Sequence, residues 1–133
     1  MTKMIHMSGK RKKAIARATL KEGTGIVRIN SKKLEHFNPK IAQLKILEPI
    51  LLAEDTIKGI NINIIVKGGG WASQADACRL AIAKGLVEFT KSKKLKQIYL
   101  EYDRHLIVAD VRVNEPHKPN DSKPRAKRQK SYR

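Results

Sequence analysis

Three kinds of residue in this chain have types and spacing that invite a chemical reading: a triple glycine, a few scattered histidines, and a large excess of lysine and arginine. Gly68-Gly69-Gly70 stands between a β-branched run and a helical pattern, where backbone N–H groups beside the positive end of a helix can receive a phosphate. The loop lacks the Gly-Lys-Ser/Thr ending of a nucleotide-triphosphate loop and the spacing of a dinucleotide fingerprint. It is read as a tight turn with a phosphate contact as the alternative. His6, His36, His105 and His117 show no HxH, HExxH or Cys/His ligand spacing, so no metal and no cofactor is expected. Asp103 and His105 are close in sequence, but no nucleophile or cleft accompanies them and a solvated turn is the simpler reading. No catalytic residue is assigned. Trp71, at a helix start, reads as a packing residue, and Cys78, the single cysteine, as a small core residue.

The basic groups are different in kind. There are 29 Lys and Arg against 12 Asp and Glu, a formal charge of +17 in 133 residues, and the charge is unevenly placed. Residues 1–21 hold seven basic groups and no acid, and residues 114–133 hold seven against two. Lys10, Arg11, Lys12, Lys13 and Arg17 cluster near the start, with Lys123, Arg125, Lys127, Arg128, Lys130 and Arg133 near the end. Mixed arginine forks and lysine point charges suit a phosphate backbone of variable geometry, as folded RNA presents. With aromatic residues at 5%, single-strand binding by base stacking is disfavoured. Affinity for nucleic acid should fall steeply with salt.

The elements that must position these groups follow from periodicity. The length supports one domain, divided as a basic N-terminal arm over 1–13, an α+β body over 14–113, and an extended basic tail over 114–133. Ala14, Ala16, Ala18 and Leu20 alternate with Arg17, Thr19 and Lys21, which predicts a half-buried strand. Ile15 breaks the pattern. After the turn Glu22-Gly23-Thr24-Gly25, Ile26 to Asn30 predicts a second strand, paired with the first as an antiparallel hairpin that presents Arg17 and Arg28 outward. Ser31 is a candidate N-cap for a short helix with Leu34 and Phe37. A helix from Ile41 to Leu51 holds Pro49, which should kink or restart it. Ile60 to Lys67 is rich in β-branched residues and predicts an interior strand.

Trp71 to Thr90 predicts the longest helix, with Ala75, Cys78, Ile82, Leu86 and Phe89 as its buried stripe and Ser73/Asp76 as a capping box. Its alanines and Gly85 would let it lie close to a sheet. A short helix with Leu95, Ile98, Tyr99 and Tyr102 follows, then a turn at Asp103 to His105, then a last strand from Leu106 to Val113. The sum is about four strands on about three helices. Asn114 to Arg133, with three prolines and almost no apolar residue, cannot build a packed face and should run extended for up to ~60 Å. No apolar run resembles a signal peptide and no stretch approaches a membrane span, so a cytoplasmic protein without a membrane partner is expected.

GKRKKAIARATLKEGTGIVRIN near the start, VKGGGWASQADACRLAIAKGLVEF in the middle and the terminal KPRAKRQKSYR resemble the universal small-subunit ribosomal protein nine family. The SYR ending resembles its archaeal and eukaryotic branch, and the shortness of the chain favours archaeal. The resemblance covers nearly the whole chain in order. It implies the fold of the second domain of ribosomal protein five, with a left-handed β-α-β crossover. It also implies a place in the head of the small subunit against ribosomal RNA, beside other head proteins, with no obligate homo-oligomer. Carried over by position, Lys10 to Lys13, Arg17, Lys123, Arg125, Lys127 and Arg128 would meet ribosomal RNA, and Arg28, on the outward side of its strand, is a further candidate for the same contact. Lys130, Ser131, Tyr132 and Arg133 would approach peptidyl-site transfer RNA. The chain departs from the family pattern at Asp110 to Val113, where one arginine is missing, and at His117 to Ser122. Two other readings compete: a DNA-associated basic protein, which would travel with chromatin, and a phosphate-handling enzyme using Gly68 to Gly70, which a nucleotide would stabilise.

Overall fold

The alternation at Ala14 to Leu20 builds the centre of the structure. Ala14, Ala16, Ala18 and Leu20 are buried while Ile15, Arg17 and Lys21 face outward, as a two-residue period requires. The structure is a computed structural model and describes residues 3–132. Its strands are β1 (Met4–Arg11), β2 (Ala14–Glu22), β3 (Val27–Ile29), β4 (Lys32–Lys33) and β5 (Ile60–Lys67), in the sheet order β1-β2-β5-β3-β4. Its helices are α1 (Lys40–Ala53), α2 (Trp71–Thr90) and α3 (Lys93–Tyr102). The class is α+β, as expected, with five strands among the described residues instead of four.

The extra strand is the N-terminal one. Met4–Arg11, expected as part of an arm, pairs antiparallel with β2 along its whole length, from Met4 opposite Lys21 to Arg11 opposite Ala14. Burial explains the pairing. Ile5, Met7 and Gly9 turn toward α2 while His6, Ser8 and Lys10 turn away, so the segment satisfies a ladder and a packed face together. A side-chain carbon on Gly9 would lie 2.2 Å from the carbonyl oxygen of Ala77, which means β1 and α2 touch backbone to backbone there.

A second difference concerns pairing. β2 does not form a hairpin with β3. It pairs antiparallel with β5, from Ile15 opposite Lys67 to Glu22 opposite Ile60, and β3 lies parallel to the far side of β5. An eight-residue ladder on an isoleucine-rich strand outweighs one that three-residue β3 could offer. The loop between β2 and β3 is then tied to β5, because the Asn61 side-chain oxygen accepts from the N–H groups of Thr24 at 2.9 Å and Ile26 at 3.0 Å. Asn30 extends β3 in the same way, its oxygen accepting from Val66 N–H at 3.0 Å and its amide donating to the Val66 carbonyl at 3.3 Å.

All three helices lie to one side. α2 is the inner layer, buried against β1 and β2 on one flank and against α1 on the other. Its five expected stripe residues are all buried, and Ala77, Ala81 and Gly85 supply the close approach, Gly85 seating the Leu20 side chain. Ser73 does not cap it: Gly70 is the N-cap, without a side-chain bond, and Asp76 pairs instead with Lys45 at 3.1 Å. Ser31 does not cap the short 3-10 turn Leu34–His36 either, since Lys33 precedes that turn. α1 continues through Pro49, which is buried and whose carbonyl accepts from the Tyr99 hydroxyl at 2.7 Å. The strand expected over Leu106 to Val113 does not form. Leu106 closes a 3-10 turn from Arg104, and Val111 and Val113 stand 85% and 65% exposed. Asp110 accepts the N–H of Arg112 at 3.0 Å, a local closure that competes with any ladder.

Candidate nucleic-acid interface

With the helices on one side, the other face of the sheet is open. Cross-strand register sets its composition row by row. Lys10, Ile15 and Lys67 form one row, and Ser8, Arg17 and Ile65 the next. His6, Thr19, Asn63, Arg28 and Lys33 form a third, and Met4, Lys21 and Asn61 the fourth. Six cations share this face, and among the described residues no carboxylate does. Adjacent strands lie ~4.8 Å apart, so Lys10 and Lys67 bracket Ile15 at ~10 Å. Arg28 sits directly opposite Lys33, an arrangement of like charges that destabilises a sheet unless an anion lies over it. The exposed apolar residues among them, Ile15 at 42% and Ile65 at 59%, are flanked by these cations. Among the described residues the strand positions on this face include no tryptophan, tyrosine or phenylalanine, so they offer charge and no aromatic stacking platform.

The structure gathers several of the sequence candidates at one end of this face. Lys13, Arg17 and Gly68, with Lys67, Ile15 and Ile65, line a single depression. Lys12 and Lys13 are the two-residue connection from β1 to β2, with Lys12 in the left-handed region at φ 52°. Gly68 and Gly69 also have positive φ, and a side chain on Gly68 would meet the Lys13 carbonyl oxygen at 2.5 Å. These two glycines therefore let the turn after β5 nest against the turn after β1. Trp71, read from the sequence as a packing residue, is 50% exposed beside this turn. Lys21, Lys33 and Lys67 are not among the candidates that the sequence offers. Their outward parity is visible within each strand, but their convergence depends on a register that no single strand encodes.

Other candidates are placed differently. Arg11 turns away from the open face and holds the start of the C-terminal segment, with its guanidinium 3.5 Å from Asp110 and donating to the Arg112 carbonyl at 2.9 Å. The Asp110 carboxyl, taking hydrogen bonds from the Arg112 side chain and N–H with Arg11 nearby, is held well below the usual carboxylate range and stays ionised. Arg125 grips Glu115 through two nitrogens, an exposed pair within the tail. Lys123, Lys127, Arg128, Lys130, Ser131 and Tyr132 are exposed in a segment without helix or strand. Arg133 lies outside the described residues.

The region that tempts an enzymatic reading is a structural ion network. Arg79 on α2 contacts Glu48 of α1 and, at 2.9 Å, Asp103 beyond α3. Asp103 also accepts the His105 N–H at 2.9 Å. Partial burial alone would raise the Asp103 carboxyl, but these donors and the Arg79 charge leave it below its ordinary value. That carboxylate is committed to stitching helices together and is no general base for His105. Cys78 is fully buried and burial pushes its thiol up to about 12, which makes it inert. Among the described residues no group of three or more His, Cys, Asp or Glu is arranged to hold a metal ion.

Comparison with known proteins decides which family carries this arrangement. Residues 9–133 match the family described as Ribosomal protein S9/S16. The chain belongs to that family. It is 54% identical over 133 residues to the small ribosomal subunit protein uS9 of Methanococcus maripaludis strain C7, covering 98% of this chain and 99% of the relative. The uS9 of strain C5 gives the same identity and coverage, and that of Methanococcus vannielii is 51% identical over the same shares. The family match spans the open-face residues of β2, β3 and β5 as well as the basic tail, so both cationic surfaces lie inside the shared sequence.

Proposed function

We propose that this S9/S16 family member acts in the head of the small subunit by laying its open sheet face and its C-terminal tail along ribosomal RNA. As a member of this family the chain is a non-catalytic structural constituent of the small ribosomal subunit, and its place of work is the cytoplasmic ribosome. The observation that carries the RNA reading is the sheet face, on which six cations stand in register without an acid. Phosphates relieve the Arg28–Lys33 opposition and occupy the depression of Lys13, Arg17, Lys67 and Gly68. Gly69 and Gly70 extend that contact toward the start of α2. Lys10 and Lys12 flank it.

In this reading Arg11 is a positioning residue that sets where the tail leaves the body. The tail then supplies Lys123, Arg125, Lys127 and Arg128 to ribosomal RNA. An exposed ion pair such as Arg125–Glu115 is weakened by solvent and salt, so a phosphate competes readily for the guanidinium. The tip, Lys130, Ser131, Tyr132 and Arg133, approaches peptidyl-site transfer RNA. Pro116 and Pro119 are exposed, and the described residues of the tail form no helix or strand, which gives the tip the reach to do so.

The test is deletion of Lys130 to Arg133 in subunits assembled in cells. Subunits should form and sediment normally while holding peptidyl-site transfer RNA more weakly. Unchanged retention of that transfer RNA would remove the tip from the account.

A further inference from the structure

Ile15 and Ile65 are left over when the open sheet face is taken as a surface for phosphates. The other outward positions of β2 and β5 are Arg17, Thr19, Lys21, Asn61, Asn63 and Lys67, all polar or charged. Strand propensity does not demand isoleucine at the two remaining positions, since the β-branched Thr19 serves the same strand. Aliphatic carbon gives a phosphate no hydrogen bond, so these side chains answer to another part of the ligand. Register brings them together. Ile15 stands opposite Lys67 and Arg17 opposite Ile65, so the four form a square with the isoleucines on one diagonal, ~7 Å apart, and the cations on the other. With Lys13 and Gly68 they line a depression of about 530 Å³. That volume lies within the ~300–1,000 Å³ of small-molecule sites and far exceeds what a phosphate fills. Among the described residues no carboxylate lines it. Its floor is rigid, because β5 is laddered to β2 on one side and Asn30 clamps the backbone of Val66 on the other.

We infer that this depression seats the base of one unpaired RNA nucleotide, its face against Ile15 and Ile65 and its two flanking phosphates on Arg17 and Lys67. The choice of RNA rests on the sheet-face reading proposed above. Within RNA the chemistry narrows further. A base inside a duplex buries both faces against its neighbours and shows only an edge. A nucleotide turned out of its helix, in a loop or a bulge, has a free face to give. Apolar side chains hold such a face without an aromatic ring. The Arg17 fork and the Lys67 point charge stand on either side of the isoleucine diagonal, where the backbone must pass as it enters and leaves the seat. Phosphate contacts fix register on an RNA but carry no information about its fold. A seat for one extruded base supplies that information at the same place.

The test titrates the full chain with two RNA hairpins of equal nucleotide number, one fully paired and one carrying a single-uridine bulge. The wild-type chain should bind the bulged hairpin about tenfold tighter, the low end of what a seated base contributes. Ile15→Thr/Ile65→Thr keeps β-branching and every charge, so it should keep the unfolding midpoint and the slope of log affinity against log salt while binding both hairpins alike. Equal binding of the two hairpins by the wild-type chain, or a preference that survives the double variant, overturns the inference. Arg17→Gln/Lys67→Gln should lower the salt slope on both hairpins. An unchanged slope there would overturn the sheet-face reading itself, so the two failures are told apart. A photo-reactive amino acid at Ile65, in small subunits assembled in cells, checks the seat without relying on the threonine variant. Its adduct should map to an unpaired nucleotide, and an adduct to a paired nucleotide or to a protein, or no adduct, would overturn the inference.

Discussion

Replacing Gly9 by alanine is the sharpest probe of where the N-terminal segment lies. The added carbon would sit 2.2 Å from the carbonyl oxygen of Ala77 and 2.9 Å from the N–H nitrogen of Ala81, both backbone atoms of α2. A carbon and a carbonyl oxygen do not approach much closer than about 3.3 Å, so β1 and α2 must separate by roughly 1 Å. Neither side can yield by rotating a side chain. Overpacking of this kind costs about 1–3 kcal/mol, and a backbone-to-backbone contact belongs at the upper end. For a domain near 100 residues that lowers Tm by roughly 10–20 °C. Circular dichroism of the full chain under thermal and urea unfolding reads the effect. Gly59→Ala is the control, because its new carbon meets nothing within 4 Å, and it should stay within about 0.5 kcal/mol of the parent. Were Gly9→Ala to unfold like Gly59→Ala, Met4–Arg11 would be an arm after all and not a strand beneath a helix.

Two further outcomes test the scaffold behind the interface. Tyr99→Phe leaves the buried Pro49 carbonyl without its donor and should cost about 1–2 kcal/mol in urea unfolding, whereas an unchanged midpoint would deny that this bond ties α3 to α1. Arg79→Met removes the partner of Glu48 and Asp103, and since both carboxylates are about one-third exposed the loss at pH 7 should be only about 1–2 kcal/mol. The Asp103 carboxyl is lowered in the folded state, so its contribution is complete above the unfolded value of about 3.9 and disappears as pH falls through the folded one. The gap between wild type and Arg79→Met should therefore narrow below about pH 4, and a constant gap would show that Asp103 does not take part.

What the residues disclosed in advance follows their locality. The alternation from Ala14 to Leu20, the β-branched run from Ile60 to Lys67 and the 3.6-residue stripe of α2 each carry their own periodicity, and each formed as expected. β1 carried a period too, with Ile5, Met7 and Gly9 alternating against His6, Ser8 and Lys10, but the charge cluster after it pointed to an arm. Its turn, Lys12-Lys13, has none of the usual hairpin chemistry; Lys12 accepts a left-handed backbone because ladders on both sides hold it there. The β2–β3 hairpin failed because pairing is a contest between strands distant in sequence, and β5 offered the longer ladder. The Leu106 to Val113 alternation had no strand edge to join and was closed locally by Asp110. The candidate interface divides in the same way. Arg17 and Arg28 were visible from their own strands, whereas the alignment of Lys10, Lys67, Lys21 and Lys33 with them exists only once five strands are in register.

The central claim is that the sheet face, and not cationic charge in general, meets RNA. It is tested most directly by measuring the salt dependence of small-subunit ribosomal RNA binding for the full chain, for Arg17→Gln/Lys67→Gln on the open face, and for Lys93→Gln/Lys96→Gln on exposed α3. The sheet pair should reduce the slope of log affinity against log salt by about 1.4–1.8, while the α3 pair, with the same change in charge, leaves it at the wild-type value. Equal slopes for the two double variants would contradict the account.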